Sequence, residues 1–393
     1  MTGSRHNNKV WRIIRRPFEI VLLRYLFALM ILVPASMFIL WLIWPGQTLE
    51  VLILDKSVPD EGRHEHTSLS WMLTQEKIRR GDDELYCRSR DYYGFFPLPD
   101  QGFMVRDLTT FDSLQLDSLA DTLDMMYIAD TYGVYAWDFY QDKNRENRRL
   151  YGGLRTEDLD LLERMKSRGK TIVAEFNCLG PPTWRLERER FEKLFGVDYL
   201  GWTGRYFVSL DTTDNDVLPS WVTRLYREQH AGAWPFHDDG IVLVDLAENI
   251  VILESGTHLK HPVPFIKTFP VHQSTYGLPA EIEYPFWLEI VSAKEPNQVI
   301  SYFELPVNAR GDSLLQKYRV PRMFPAVIRS TSEDYGFYYL AGDFADNPIP
   351  PAMAYFKGIH WLNAFFSDPD DLQDRRDFFW LFYRPLVQSI LSS

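Results

Sequence analysis

Residues 25–44 read YLFALMILVPASMFILWLIW, twenty positions without a charged side chain. At about 1.5 Å of rise per residue, a helix of that length reaches ~30 Å, the hydrocarbon thickness of a bilayer. Pro34 in its middle would break a soluble helix but is tolerated in a membrane one. Tyr25 at one end and Trp41 and Trp44 at the other suit the two interfaces. A cleaved signal peptide would have a shorter apolar region, about 7–15 residues, ending in small side chains. Here the run passes into Trp44-Pro45-Gly46, so the reading is an uncleaved anchor.

The flanks give its orientation. The first 24 residues hold Arg5, Lys9, Arg12, Arg15, Arg16 and Arg24 against Glu19 alone, a net +5. With −12 for the whole chain, the other 369 residues carry −17. Basic flanks stay cytoplasmic, so the N-terminus is expected inside and the bulk outside the inner (plasma) membrane. The absence of any N-x-[ST] acceptor favours a prokaryotic cell envelope over a eukaryotic secretory lumen. The expected layout is a basic tail (1–24), a transmembrane helix (25–44), an extracytoplasmic domain (47–366) and a C-terminal amphipathic helix (367–393).

The outer part is long enough to bury a large core. With 46% apolar and 24% charged residues, the chain as a whole is neither disordered nor a porin-like barrel. Its acidity argues against a nucleic-acid partner. Two cysteines exclude a disulfide scaffold and a Cys-rich zinc module, and whether Cys87 and Cys178 pair stays open. His64-Glu65-His66 and the loose set His258, His261 and His272 match no metal-ligand spacing, so neither a metal nor another cofactor is expected.

Uninterrupted apolar runs at 49–54 (LEVLIL), 125–130 (MMYIAD) and 170–176 (KTIVAEF) are the strands of a parallel sheet. Helices are expected at 66–79 and about 184–195, and a third begins at Thr156 as N-cap and stops at Gly169. Residues 82–110 read as loop with one strand. Six further strands at 240–246, 251–254, 284–292, 299–305, 323–329 and 336–342 add a β-rich elaboration. The stretch 374–391 is a helix whose aromatic stripe packs on the core or lies on a membrane or partner. The fold class is α/β, with a mainly parallel sheet and helices on both faces.

Ligands of open α/β sheets bind beyond the carboxyl ends of the strands. Those ends carry Asp55, then Asp130 and Tyr132, then Glu175 and Asn177, and lastly Asp343 and Asp346. Trp202 and Arg205 are candidates to bring an aromatic ring and a cation to the same rim. Two carboxylates across a cleft are the acid and base of glycosidases, which makes Glu175 and Asp343 the catalytic candidates of a hydrolase. Equally, such carboxylates cap helices or pair with an arginine, for which Arg205 is the obvious counter-ion. Cys178, on the turn after a strand, reads as a small buried residue rather than a nucleophile.

The unit from the Thr156 helix to KTIVAEFN, with FPAVIRSTSEDYGFYYLAGDF near the end, resembles the class I glutamine amidotransferase-like superfamily. The nearest branch is that of trehalose-utilisation-type proteins and accessory domains of some glycosidases, and the resemblance extends over about 49–358. It implies a flavodoxin-like α/β fold. Active members carry Gly-x-Cys-x-Gly at the strand–helix elbow and a base His on a late strand. Here the elbow reads Phe176-Asn177-Cys178-Leu179-Gly180 and the late strand ends in Gly342-Asp343, so the Cys/His pair is incomplete. Three functions are therefore expected in order. The first is a tethered, non-catalytic binder of a glycan or partner in cell-envelope or exopolysaccharide assembly. A carboxylate-dependent glycan hydrolase comes next, and then a scaffold subunit of a membrane complex.

Overall fold

A computed structural model of the chain describes residues 7–142, 148–213, 218–365, 368 and 371–392, with 7–22 as backbone only. The first helix, α1 (Asn7–Ile43), absorbs most of the basic tail, so tail and apolar run form one rod rather than two segments. Its stretch Leu23–Ile43 is, among the described residues, the one helix long and apolar enough to cross a membrane. A core helix of a soluble protein passes the same test when buried; this one is exposed over nearly all of its length.

The strands β1 (Val51–Asp55), β2 (Tyr93–Pro97), β3 (Phe103–Arg106), β4 (Met125–Asp130), β5 (Thr171–Glu175), β6 (Val197–Phe207), β7 (Gly240–Asp245), β8 (Ile250–Glu254), β9 (Phe265–Thr268), β10 (Glu281–Glu283), β11 (Leu288–Ala293), β12 (Asn297–Glu304), β13 (Met323–Ser330) and β14 (Gly336–Leu340) build two sheets. The large one has ten strands in the order β10-β9-β12-β13-β14-β5-β4-β1-β2-β3. Only β14-β5-β4-β1-β2 run parallel. The pairs β2–β3, β13–β14, β12–β13, β9–β12 and β9–β10 are antiparallel. The sheet is thus mixed rather than mainly parallel: a five-stranded parallel centre is extended at both edges by hairpins, which need no crossover helix. β8-β7-β6-β11 form a separate antiparallel sheet.

Local expectations hold where the apolar pattern is strong and fail where tertiary contacts intervene. β1 and β4 are buried at every position, as strands covered on both faces must be. The helix expected at 66–79 ends at Gln75 as α2 (Thr67–Gln75), and Ile78 instead begins a two-residue strand paired with Gln47–Thr48. The segment 82–110 holds a hairpin, β2–β3, rather than one strand. The helix α3 (Thr156–Ser167) is capped at Arg155, whose N–H donates to Asp158 Oδ2 at 2.8 Å; Thr156 is its first residue, not its cap.

The C-terminal stretch is a helix from Arg375 to Leu391 with a π-helical turn, Phe379–Tyr383. Its aromatic stripe packs inward: Phe378, Phe379, Phe382 and Tyr383 are buried in a core that extends from Met37 to Leu391. The C-terminal end of α1 belongs to the same core. Met37 and Trp41 are buried, and Trp41 Nε1 donates to the Thr74 carbonyl at 3.0 Å. Lys77 Nζ reaches the carbonyls at the end of the helix, Leu42 at 2.8 Å and, just beyond it, Trp44 at 2.9 Å, the contact a helix C-terminus favours.

Candidate functional site

The strand-end carboxylates do gather, because parallel strands in register end together. Asp55 and Asp130 are register partners across β1 and β4. Ser57 ties them: its N–H donates to Asp55 Oδ1 at 2.9 Å and its hydroxyl to Asp130 Oδ1 at 2.5 Å. Asp55 is fully buried against His66, Nδ1 to Oδ2 2.5 Å, and His66 Nε2 faces the Arg88 carbonyl at 3.0 Å. Asp130 also accepts from the Tyr132 N–H at 2.5 Å and from Asn177 Nδ2 at 2.9 Å. Burial pushes the Asp130 carboxyl up to about 7, against the lowering effect of these donors.

The other two strand ends form a second pair. Glu175, buried, accepts from Tyr127 Oη and from the N–H groups of Phe344 and Ala345, each at 3.0 Å. Its carboxyl is raised by burial first, the Asp343 charge adding to it. Asp343 and Asp346 share Arg375, at 3.0 and 2.8 Å. The counter-ion is therefore Arg375 of the C-terminal helix and not Arg205. Arg205 lies over the rings of Phe207 and Trp287, 5.0 and 5.3 Å from their centroids, a cation–π pairing. Burial first, and then the nearby Arg375 charge, lower its pKa.

Trp202 does not join this group. It is three positions from Arg205 on β6, hence on the other face of the strand, and it packs edge-on against Tyr318 at 6.3 Å. Tyr132 does, with 45% of its surface exposed and its ring 5.1 Å from Tyr135. Phe176 and Trp287 stack at 6.4 Å. Of these rings Tyr132 is exposed and Phe176 buried, and Asp55, Asp130 and Glu175 are buried too, so the strand ends do not present a row of open carboxylates.

Sequence reasoning missed Ser57, His66, Glu289, Arg375 and above all Glu65. Glu65 sits among the charges of Asp55, Asp130 and Asp346, and burial followed by those charges raises its carboxyl well above the usual range. Its Oε2 has no hydrogen-bond partner. The only sequence signal was its place in the His-Glu-His run, which was weighed for metal.

The elbow after β5 is also informative. Nucleophile elbows place the nucleophile on a sharp, strained turn after a strand. Here the residue with left-handed backbone is Asn177, at φ 66°, and its amide is spent on Asp130. Cys178 is fully buried, and burial, then the charges of Glu289, Asp130 and Glu175, push its thiol up, the opposite of activation. Cys87 is exposed and both cysteines are free. Among the described residues no three His, Cys, Asp or Glu side chains converge as metal ligands. A cleft of about 250 Å³ lies between Tyr226, Phe236, His258, Lys317 and Tyr318; of the expected site residues Trp202 borders it, through its packing on Tyr318.

No protein-family model matches the sequence, and no curated protein matches it. Among solved structures the chain is similar to a glutamine amidotransferase from Thermotoga maritima at 9% identity, over 88% of this chain and 99% of that one, with a TM-score of 0.37. A putative ThuA-like protein from Bacteroides uniformis matches at 12%, over 81% and 89%, with 0.35. A β-galactosidase from Bacillus circulans matches at 10%, over 76% of this chain, with 0.33; the chain spans 30% of that enzyme's length. The likeness is one of fold, and the activities those names carry are theirs.

Proposed function

We propose that this is a single-pass membrane protein, N-terminus inside, whose outer domain binds a glycan without transforming it, in cell-envelope or exopolysaccharide assembly. The observation that carries the anchoring is the seat of α1: Met37 and Trp41 are buried in the domain core, and Lys77 holds the helix's last carbonyls. A signal peptide is removed from the mature protein, and removal here would open the core. The mouth proposed for binding is the exposed Tyr132 ring beside Asp130, with the partly exposed Glu65 and Asp346 near it, since a flat apolar ring beside polar acceptors suits sugar. Against turnover stand the engagement of Glu175 and Asp343 and the amide at the elbow.

The test uses the full chain in lipid nanodiscs, titrated with N-acetylated and deacetylated amino-sugar oligomers at two salt concentrations. The acidic mouth is expected to bind the deacetylated, cationic oligomer more tightly, with affinity falling as salt rises. Tyr132→Ala should weaken binding about tenfold, the equivalent of one good contact. Equal, salt-insensitive binding of both oligomers removes the electrostatic part, and binding of neither overturns the reading. One observation favours hydrolysis as a second reading: Asp130, pushed up to about 7, is poised as a general acid. Turnover that is abolished in Asp130→Asn would establish it.

A further inference from the structure

The 3-10 helix Pro351–Tyr355 lies beside the outer part of α1, and a second, Ile359–Phe365, follows it three residues on. Between them the Lys357 N–H donates to the Met37 carbonyl at 3.1 Å. Phe356 lies 6.1 Å from Phe38, and Tyr355 stands edge-on to Trp41 at 4.8 Å. Met37 is six residues inside the end of the apolar stretch Leu23–Ile43, about 9 Å along the helix axis. Chain bonded at that level lies below the outer edge of the hydrocarbon whenever Leu23–Ile43 spans it.

The side chains suit such a depth. Trp361 is 78% exposed and Phe365 82%, large aromatic surface that a water-facing loop rarely presents. Aromatic rings of this kind concentrate where water meets lipid. Lys357 turns the other way: its backbone is level with Met37, but its ammonium rises to the Trp44 ring, 4.5 Å from the centroid, and pairs with Glu76 at 2.8 Å. That is the course a lysine takes when its stem lies in an apolar layer and its charge seeks the headgroups.

We infer that residues 351–365 are an interfacial foot, a second and non-spanning contact seated in the headgroup–acyl boundary of the outer leaflet. Its occupant is lipid, because the segment is held to α1 through Lys357 and Phe356, on a stretch of that helix where Phe38, Ile39, Leu42 and Ile43 are all exposed. With α1 docked and the foot embedded, the domain has a fixed tilt on the bilayer, which holds its mouth at a set height. The inference rests on the anchoring proposed above.

The experiment places single cysteines in a Cys87→Ser background of the full chain, as Trp361→Cys, Phe365→Cys, Met30→Cys and Ser313→Cys. Each is labelled with an environment-sensitive fluorophore and reconstituted in phosphatidylcholine vesicles with and without brominated acyl chains. Positions 361 and 365 are expected to show blue-shifted emission and bromolipid quenching, as position 30 does in the span, while exposed position 313 shows neither. Quenching at 30 with water-like emission at 361 and 365 overturns the foot and leaves the anchor standing. Water-like emission at position 30 brings down the anchor itself. Both foot positions are largely exposed, so the substitutions disturb little packing.

Discussion

A carboxylate buried without a cation is held by hydrogen bonds alone, and its pKa records how far they fall short of water. Asp130 has three donors and still titrates near 7. Folding therefore favours its protonated form, so the folded state holds an extra proton between an unfolded value of about 3.9 and about 7, and stability falls as pH rises across that window. In Asp130→Asn that dependence is expected to flatten, by at most about 4 kcal/mol between pH 4 and 8. Denaturant unfolding at several pH values checks it as the difference between the two proteins, because raised Glu175 and Glu289 contribute the same sign in both. Lys56 and Asp158 show the opposite solution, a fully buried ion pair at 2.5 Å completed by the Gly153 carbonyl at 3.0 Å. Lys56→Met strands the Asp158 charge and should cost about 3–5 kcal/mol, whereas the double variant Lys56→Met, Asp158→Leu should recover much of it. Thermal melting of the three proteins tests this, and a double variant no better than the single one would refute it.

At the scale of elements, the parallel centre was legible because strands buried on both faces spell continuous apolar runs, as VLIL, MMYIA and TIVA do. β6 was not legible. Its eleven residues contain Gly201 at φ 85°, and its register against β11 shifts between Tyr199 and Trp202, so the two-residue alternation breaks where the strand continues. The α3 cap was misplaced by one residue because Asp158 reaches back to Arg155 from inside the helix, a contact that outweighs the intrinsic preference of Thr156. Glycine matters most at Gly94, where β2 meets β1. Its φ is 148°, and a Cβ would stand 1.6 Å from the Asp55 carbonyl oxygen. Gly94→Ala must therefore part the two strands, at a cost of several kcal/mol, on the order of 3 or more. Gly232, at φ 84° with nothing within 4 Å, isolates the backbone effect, and Gly232→Ala should cost only about 1 kcal/mol. Equal melting temperatures for the two variants would contradict the steric account.

For the whole molecule, the site was half legible. Strand ends that share a register bring Asp55, Asp130, Glu175 and Asp343 together, and sequence shows where strands end. It does not show that Arg375, more than thirty residues beyond Asp343, returns to neutralise the pair, or that Glu65 and His66 fold back over β1. Those contacts exist only once the core closes, and the core includes the end of α1. By sequence the apolar run reads as an anchor that precedes the domain, and its last two turns are part of that domain's packing. A chain cut to residues 47–393 loses the buried Met37 and Trp41 side chains, each worth roughly 1.5–3 kcal/mol, and leaves Lys77 without its carbonyls. The truncated chain is expected to melt well below the full chain in the same detergent and to aggregate more readily through the uncovered face. The full chain should also keep residues 1–44 when recovered from membranes, which intact-mass measurement reads directly. Equal melting of the two chains would mean that α1 rests on the domain without supporting it. A mature mass beginning after residue 44 would make the helix a signal and end its role as an anchor.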